Sequence, residues 1–153
     1  MHNLLLTHLS ETRRRSILLW SALPTEKMNW KPDETAMTAG ELIRHVLEAD
    51  YGWNMIIRHE DMSNYSAPWK GKPILDLQTE LDFAEPYRKA FLSTIRGLST
   101  EDLEAVSVHH PGRAKPKHMA EYILRTAYHE AVHAGQFQSY LRQLNVERPF
   151  IWD

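Results

Sequence analysis

Between Lys117 and Leu144 there is no proline, and Gly135 alone interrupts a run of good helix formers. Within that stretch Met119, Tyr122, Thr126, His129, His133, Gln136 and Tyr140 step by three and four, the register of a helix face turned toward a bundle core. The middle of this seam is polar. His129 and His133 lie one turn apart on the same face, where both imidazoles can reach one metal ion. Unpartnered polar groups in a core cost about 1–3 kcal/mol each, and a single ion partners both rings at once. Histidines at this spacing also occur as hydrogen-bonded core or surface residues. The shared register with Met119, Tyr122 and Tyr140 favours the core-facing, metal-binding reading.

A long helix with an inward seam needs other helices to pack against. The spacing of Leu5, Leu9, Ile17, Trp20 and Leu23 predicts a first helix over His2 to Leu23, stopped by Pro24. A linker carrying Trp30 and Pro32 follows to Met37. Thr38-Ala39-Gly40-Glu41 then fits a capping box, which opens a second helix running to about His59. Its apolar stripe is Leu42, Val46, Ala49, Trp53 and Ile56, and His45 lies on that stripe. A lone histidine there reads as a satisfied core residue, but the His129/His133 pair makes His45 the candidate third ligand. Asp61 to Pro73 is a loop with Tyr65 and Trp69, aromatics suited to closing over a pocket or to packing on the bundle end. A third helix is predicted over Ile74 to Arg96, with Leu77, Leu81, Ala84, Phe91 and Ile95 inward and a kink near Asp82 to Pro86. Leu98 to Pro116 reads as a third connection. Its His109-His110-Pro111-Gly112 is a turn whose adjacent imidazoles suit the surface better than one ion. Asn145 is the expected cap of the last helix. Four helical segments and no strand-like run predict an all-α four-helix bundle, one domain over 1–153, with a metal site between its helices.

The composition is globular, with 42% apolar residues over 153 positions, enough for a core without staples. Eighteen basic against 20 acidic side chains give a net charge of −2, so no bulk field draws nucleic acid. Arg13-Arg14-Arg15, the single basic run, is expected on a solvated helix face. The absence of cysteine excludes disulfides, thiolate metal sites and a cysteine nucleophile, and is compatible with a reducing cytoplasm. The run Ile17 to Leu23 is too short to span a bilayer, and Glu11 within the basic segment argues against a secretory signal. No membrane or nucleic-acid partner is therefore expected, and the cytoplasm is the expected location.

His129-Glu130-Ala131-Val132-His133 also matches the metallopeptidase signature in which the glutamate is the general base. The extended form would need a histidine where Ser139 stands, and Glu147 is the one glutamate remaining downstream. With no strand to hold a peptide, the peptidase reading is weak. At 3.6 residues per turn Glu130 lies about 100° from His129 and about 60° from His133. It is the candidate catalytic residue, as general base or as a support to a ligand, with an outward-facing helix glutamate as the alternative. Gln136, one turn past His133, is placed to orient a ligand or floor a pocket.

The Trp30-x-Pro32 linker leading into Thr38-Ala-Gly-Glu-Leu-Ile-Arg-His45, and His129-x-x-x-His133-x-Gly135-Gln136 leading into Tyr140-Leu141-Arg142, resemble the DinB-like superfamily of four-helix bundle metalloproteins. The likeness covers essentially the whole chain. One departure is Asn145, where the family has glycine after the last helix. The resemblance implies a divalent ion held by three histidines, matched here by His45, His129 and His133, and it implies a homodimer. The family includes YfiT-type hydrolases and thiol-dependent S-transferases. Three neutral imidazoles leave open positions on a dipositive ion, a catalytic rather than a closed structural pattern, and zinc or nickel suits them. The expected function is thus a metal-dependent hydrolase or a low-molecular-weight-thiol S-transferase acting on a small molecule. Because the chain has no cysteine, any thiol must be a cosubstrate. The competing expectation is a non-catalytic metal-binding stress-response or ligand-binding protein.

Overall fold

The computed structural model describes residues 2–112 and 114–152. Helix α1 spans His2–Ser21, and a single 3-10 turn covers Thr25–Lys27. Helices α2 and α3 span Ala39–Ile57 and Leu77–Gly97, and the short α4 spans Thr100–Ala105. Two-residue strands β1 (Ser107–Val108) and β2 (Lys117–His118) pair antiparallel before α5, Met119–Gln143. The long helices α1, α2, α3 and α5 form the bundle. Helix α1 packs on α5 and α3, and α2 packs on α3 and α5. An all-α architecture follows, with the bundle core at its centre.

The helix starts follow local chemistry. Thr38 caps α2 through a complete capping box: its side chain accepts from the Glu41 N–H at 3.2 Å, and Glu41 Oε2 accepts from the Thr38 N–H at 2.7 Å. Asp76 accepts from the Thr79 N–H and starts α3 three residues later than the apolar pattern predicts. Pro86 lies inside α3, which continues through it. Beyond α5, Asn145 takes the left-handed conformation at φ 56, as its capping role requires. The connection predicted over 98–116 is more structured than a loop. Ser99 and Asp102 form a second capping box that opens α4, a signal present in the sequence at the S-x-x-D spacing.

The core is divided. One apolar compartment gathers Leu19, Trp20, Leu42, Ile43, Leu47, Phe137 and Leu141. The other gathers Leu5, Leu9, Ile57, Phe91, Ile95, Met119 and Ile123. Between them each bundle helix contributes one charged residue. Arg13 of α1 donates to Glu130 of α5 at 2.7 and 3.1 Å and to Asp50 of α2 at 3.2 Å; Arg88 of α3 donates to the other Asp50 oxygen at 3.0 Å. Arg13, Asp50 and Glu130 are buried. This corrects the sequence expectation that the Arg13–Arg15 run is solvated. Arg13 sits one turn beyond Leu9 on the core face, and two carboxylates compensate its charge. Burial works against the guanidinium, and Asp50 and Glu130 outweigh it, leaving Arg13 above its ordinary value.

Candidate metal centre

His45 projects from the second turn of α2, and His129 and His133 project from successive turns of α5. Packing of α2 on α5 brings the three rings together. His45 Nε2 and His129 Nε2 are 3.1 Å apart, and His133 Nε2 is also 3.1 Å from His129 Nε2. One ligand atom from each residue lies within 4.8 Å of the other two. The rings meet edge to face, with centroids 4.5–5.0 Å apart. Nitrogens held about 2.0–2.1 Å from one tetrahedral ion stand about 3.3–3.4 Å from each other, close to the two separations to His129. Among the described residues this is the one group of three or more such side chains with that proximity.

Protonation favours the same use. Burial, then the neighbouring His133 and His45, lower the His129 pKa from 6.5 to about 4; burial and His133 lower that of His45 as well. Neutral imidazoles have a free lone pair for an ion. His133 is oriented from behind: its Nδ1–H donates to Gln136 Oε1 at 2.6 Å, which turns Nε2 toward the cluster. Gln136 thus holds the orienting position that the sequence suggested.

Glu130, for which the sequence left a general base, a support to a ligand or an outward-facing position open, faces Arg13. Both its oxygens are held by Arg13, and the residue is 4% exposed in the ion layer. The next-residue offset from His129 turns its side chain toward α1. No sequence pattern within α5 reveals this, because the partner lies in another helix.

A cavity of about 420 Å³ opens beside the cluster, with His45 and His129 on one side. Trp53, one turn past Ala49 on α2, stands 6.3 Å from the His129 ring and 5.0 Å from Tyr122. The loop aromatics divide their roles. Tyr65 lines the cavity and donates its hydroxyl to Glu48 at 3.3 Å, whereas Trp69 is 2% exposed and packs against Phe83 and Tyr87. Burial raises the Glu48 carboxyl above its ordinary value against the opposing Tyr65 hydrogen bond, and burial with Glu48 pushes Tyr65 up to about 12. His110, expected at the surface, also lines this cavity, its ring tilted 6.0 Å from that of Trp53 and 6.3 Å from that of Tyr122. Glu48 and His110 are the site residues that sequence reasoning missed. Glu48 follows His45 at i+3 and carried that signal; His110 had none, since its loop is positioned by tertiary contacts.

A family profile described as the DinB superfamily matches residues 8–137. Among solved structures, a DinB-like protein from Bacillus subtilis is similar with a TM-score of 0.71 at 21% identity, over 96% of each chain. A DinB-like protein from Bacillus cereus is similar with a TM-score of 0.70 at 18% identity, over 93% of this chain and 91% of the other. At such identities the likeness is one of fold. No curated protein sequence matches the chain.

Proposed function

The chain belongs to the DinB superfamily, and on that premise we propose that His45, His129 and His133 hold one divalent ion, zinc or nickel, in a metal-dependent enzyme acting on a small molecule. The observation that carries the reading is the convergence of three imidazole Nε2 atoms beside a cavity of small-molecule size. An ion held by His45, His129 and His133 would supply Lewis acidity and would lower the pKa of a water or a thiol. The chain's own part is to orient the ligands, through Gln136 on His133, and to confine substrate between Trp53 and Tyr65. The reaction we assign is hydrolysis or transfer of a low-molecular-weight thiol to an electrophilic small molecule. With no cysteine in the chain, that thiol comes from a cosubstrate.

The engagement of Glu130 by Arg13 weighs against the peptidase reading of the H-E-x-x-H pattern, since it leaves no free general base at that position. Among the described residues no helix is long and apolar enough to cross a membrane. A homodimer is part of the same proposal. Leu124, Tyr128 and Val132 lie exposed at four-residue intervals along α5, a stripe suited to a second copy. Sedimentation at micromolar concentration is expected to give a mass near twice 17.9 kDa.

Elemental analysis of untagged protein tests the centre: one ion per chain is expected, falling in His45→Ala, His129→Ala or His133→Ala and unchanged in His118→Ala. Activity is tested with glutathione or bacillithiol and a chlorinated aromatic acceptor, and separately with activated esters and amides. Turnover that needs metal and is lost in His133→Ala supports the enzyme, and dependence on thiol separates transfer from hydrolysis. A filled centre with no turnover on any substrate replaces it with the non-catalytic, metal-stabilised protein.

A further inference from the structure

We infer that the cavity beside the three histidines takes a small zwitterionic ligand, with an anionic oxygen or sulfur donor at the histidine end and a protonated amine against Glu48. The inference rests on reading the histidines as a metal centre, and it names the substrate class of that site. Glu48 lies one turn along α2 from His45, so the two side chains start about 5–6 Å apart on the same face. Both line the cavity, together with His129, Trp53, Tyr65 and Met62.

The carboxylate is half-buried, and among the described residues no salt bridge reaches it. Its partner is the neutral Tyr65 hydroxyl, at a long 3.3 Å. Arg44, one turn back, reaches Glu48 through its charge but gives it no hydrogen bond: it donates to both oxygens of Glu80 at 2.6 and 3.0 Å and to the carbonyls of Lys72 and Pro73. A half-buried carboxylate gains from a cation, and the faces of Trp53 and Tyr65 favour one too. A plain cation, however, would be repelled by a dipositive ion a few ångströms away. A ligand that also brings an anionic donor to the ion removes that repulsion. An amino thiol or an amino-acid derivative with an apolar or aromatic body meets all three demands.

Two ligand pairs test this by calorimetry and by NMR titration. On the zinc-loaded protein, L-phenylalanine hydroxamate is expected to bind about tenfold tighter than 3-phenylpropanohydroxamic acid, which lacks only the amine. Glu48→Gln should erase that difference with metal content unchanged, and Tyr65→Phe should keep most of it. Equal affinities in the wild type, a preference that survives Glu48→Gln, or binding of neither compound overturns the inference. The second pair, 2-phenylethylamine and 2-phenylethanol, is titrated into the metal-free protein. If the protein takes up no metal, the reading of the centre has failed, and this pair then judges Glu48 by itself. Preference for the amine, lost in Glu48→Gln, upholds the carboxylate as a cation site; no preference overturns it.

Discussion

Glu130 follows His129 directly in the chain, yet the two side chains serve different neighbours: the imidazole joins the cluster, and the carboxylate binds Arg13 of α1. Removing one partner of a buried ion pair leaves an uncompensated charge, which costs about 3–5 kcal/mol. Glu130→Ala should therefore lower the urea midpoint by that equivalent while the folded variant still binds one metal ion per chain. Loss of metal with unchanged stability would show that Glu130 serves the centre rather than the ion layer. His129 gives a pH signature. Its folded pKa of about 4 lies below the ordinary 6.5, so between those values the unfolded chain binds more protons than the folded one. Stability of the metal-free protein is then fully present above about pH 6.5 and falls as the pH drops toward 4. In the His129→Ala variant, urea melts across that window should show a shallower decline. At this scale the sequence was legible where one helix holds both partners, as for His129, His133 and Gln136. It was silent on the ion layer, where Arg13, Asp50, Arg88 and Glu130 find their partners in other helices and no motif asks for them. Arg13 looked solvated, and the alternatives for Glu130 stayed open, because each was read against its own helix alone.

The helix boundaries are set by short-range signals, which explains why most of the elements could be read in advance. Thr38 and Glu41 mark the start of α2 in sequence as in structure, and that start fixes where His45 falls on the bundle face. Thr38→Ala removes one of the paired capping bonds and should cost about 1 kcal/mol in chemical denaturation. Two residues on, Gly40 is needed for a different reason. A Cβ there would sit 2.7 Å from Cγ2 of Ile74 and 3.2 Å from the Met28 carbonyl oxygen. Gly40→Ala should therefore push the 61–76 loop off α2 and cost about 1–3 kcal/mol, read from the same melts. The loop contact is long-range, so nothing near Gly40 in the sequence announces it. The same holds for the β1–β2 pair, whose two-residue strands are too short to give a periodic signal, whereas α4 did carry its Ser99–Asp102 capping spacing.

Across the whole molecule, two apolar compartments hold the four long helices, and the histidine cluster adds to a bundle that already has a core. Chelation should thus leave helix content by circular dichroism nearly unchanged. At a free metal level of about 100 times its Kd the bound ion adds about 2.7 kcal/mol, so stripping it should lower Tm by about 5–10 °C. Complete unfolding on chelation would refute a self-sufficient bundle. The ion layer of Arg13, Asp50, Arg88 and Glu130 has a consequence for how such a chain can diverge. Because the charged layer crosses all four helices between the compartments, the apolar groups on either side need agree only with their own compartment. Epistasis should be confined accordingly. Leu19→Ala and Ile95→Val, drawn from opposite sides, should have costs that add within about 0.5 kcal/mol, whereas pairs within one compartment should not. Each end of the bundle is then free to drift in sequence without consulting the other, so long as the four charges between them are inherited together.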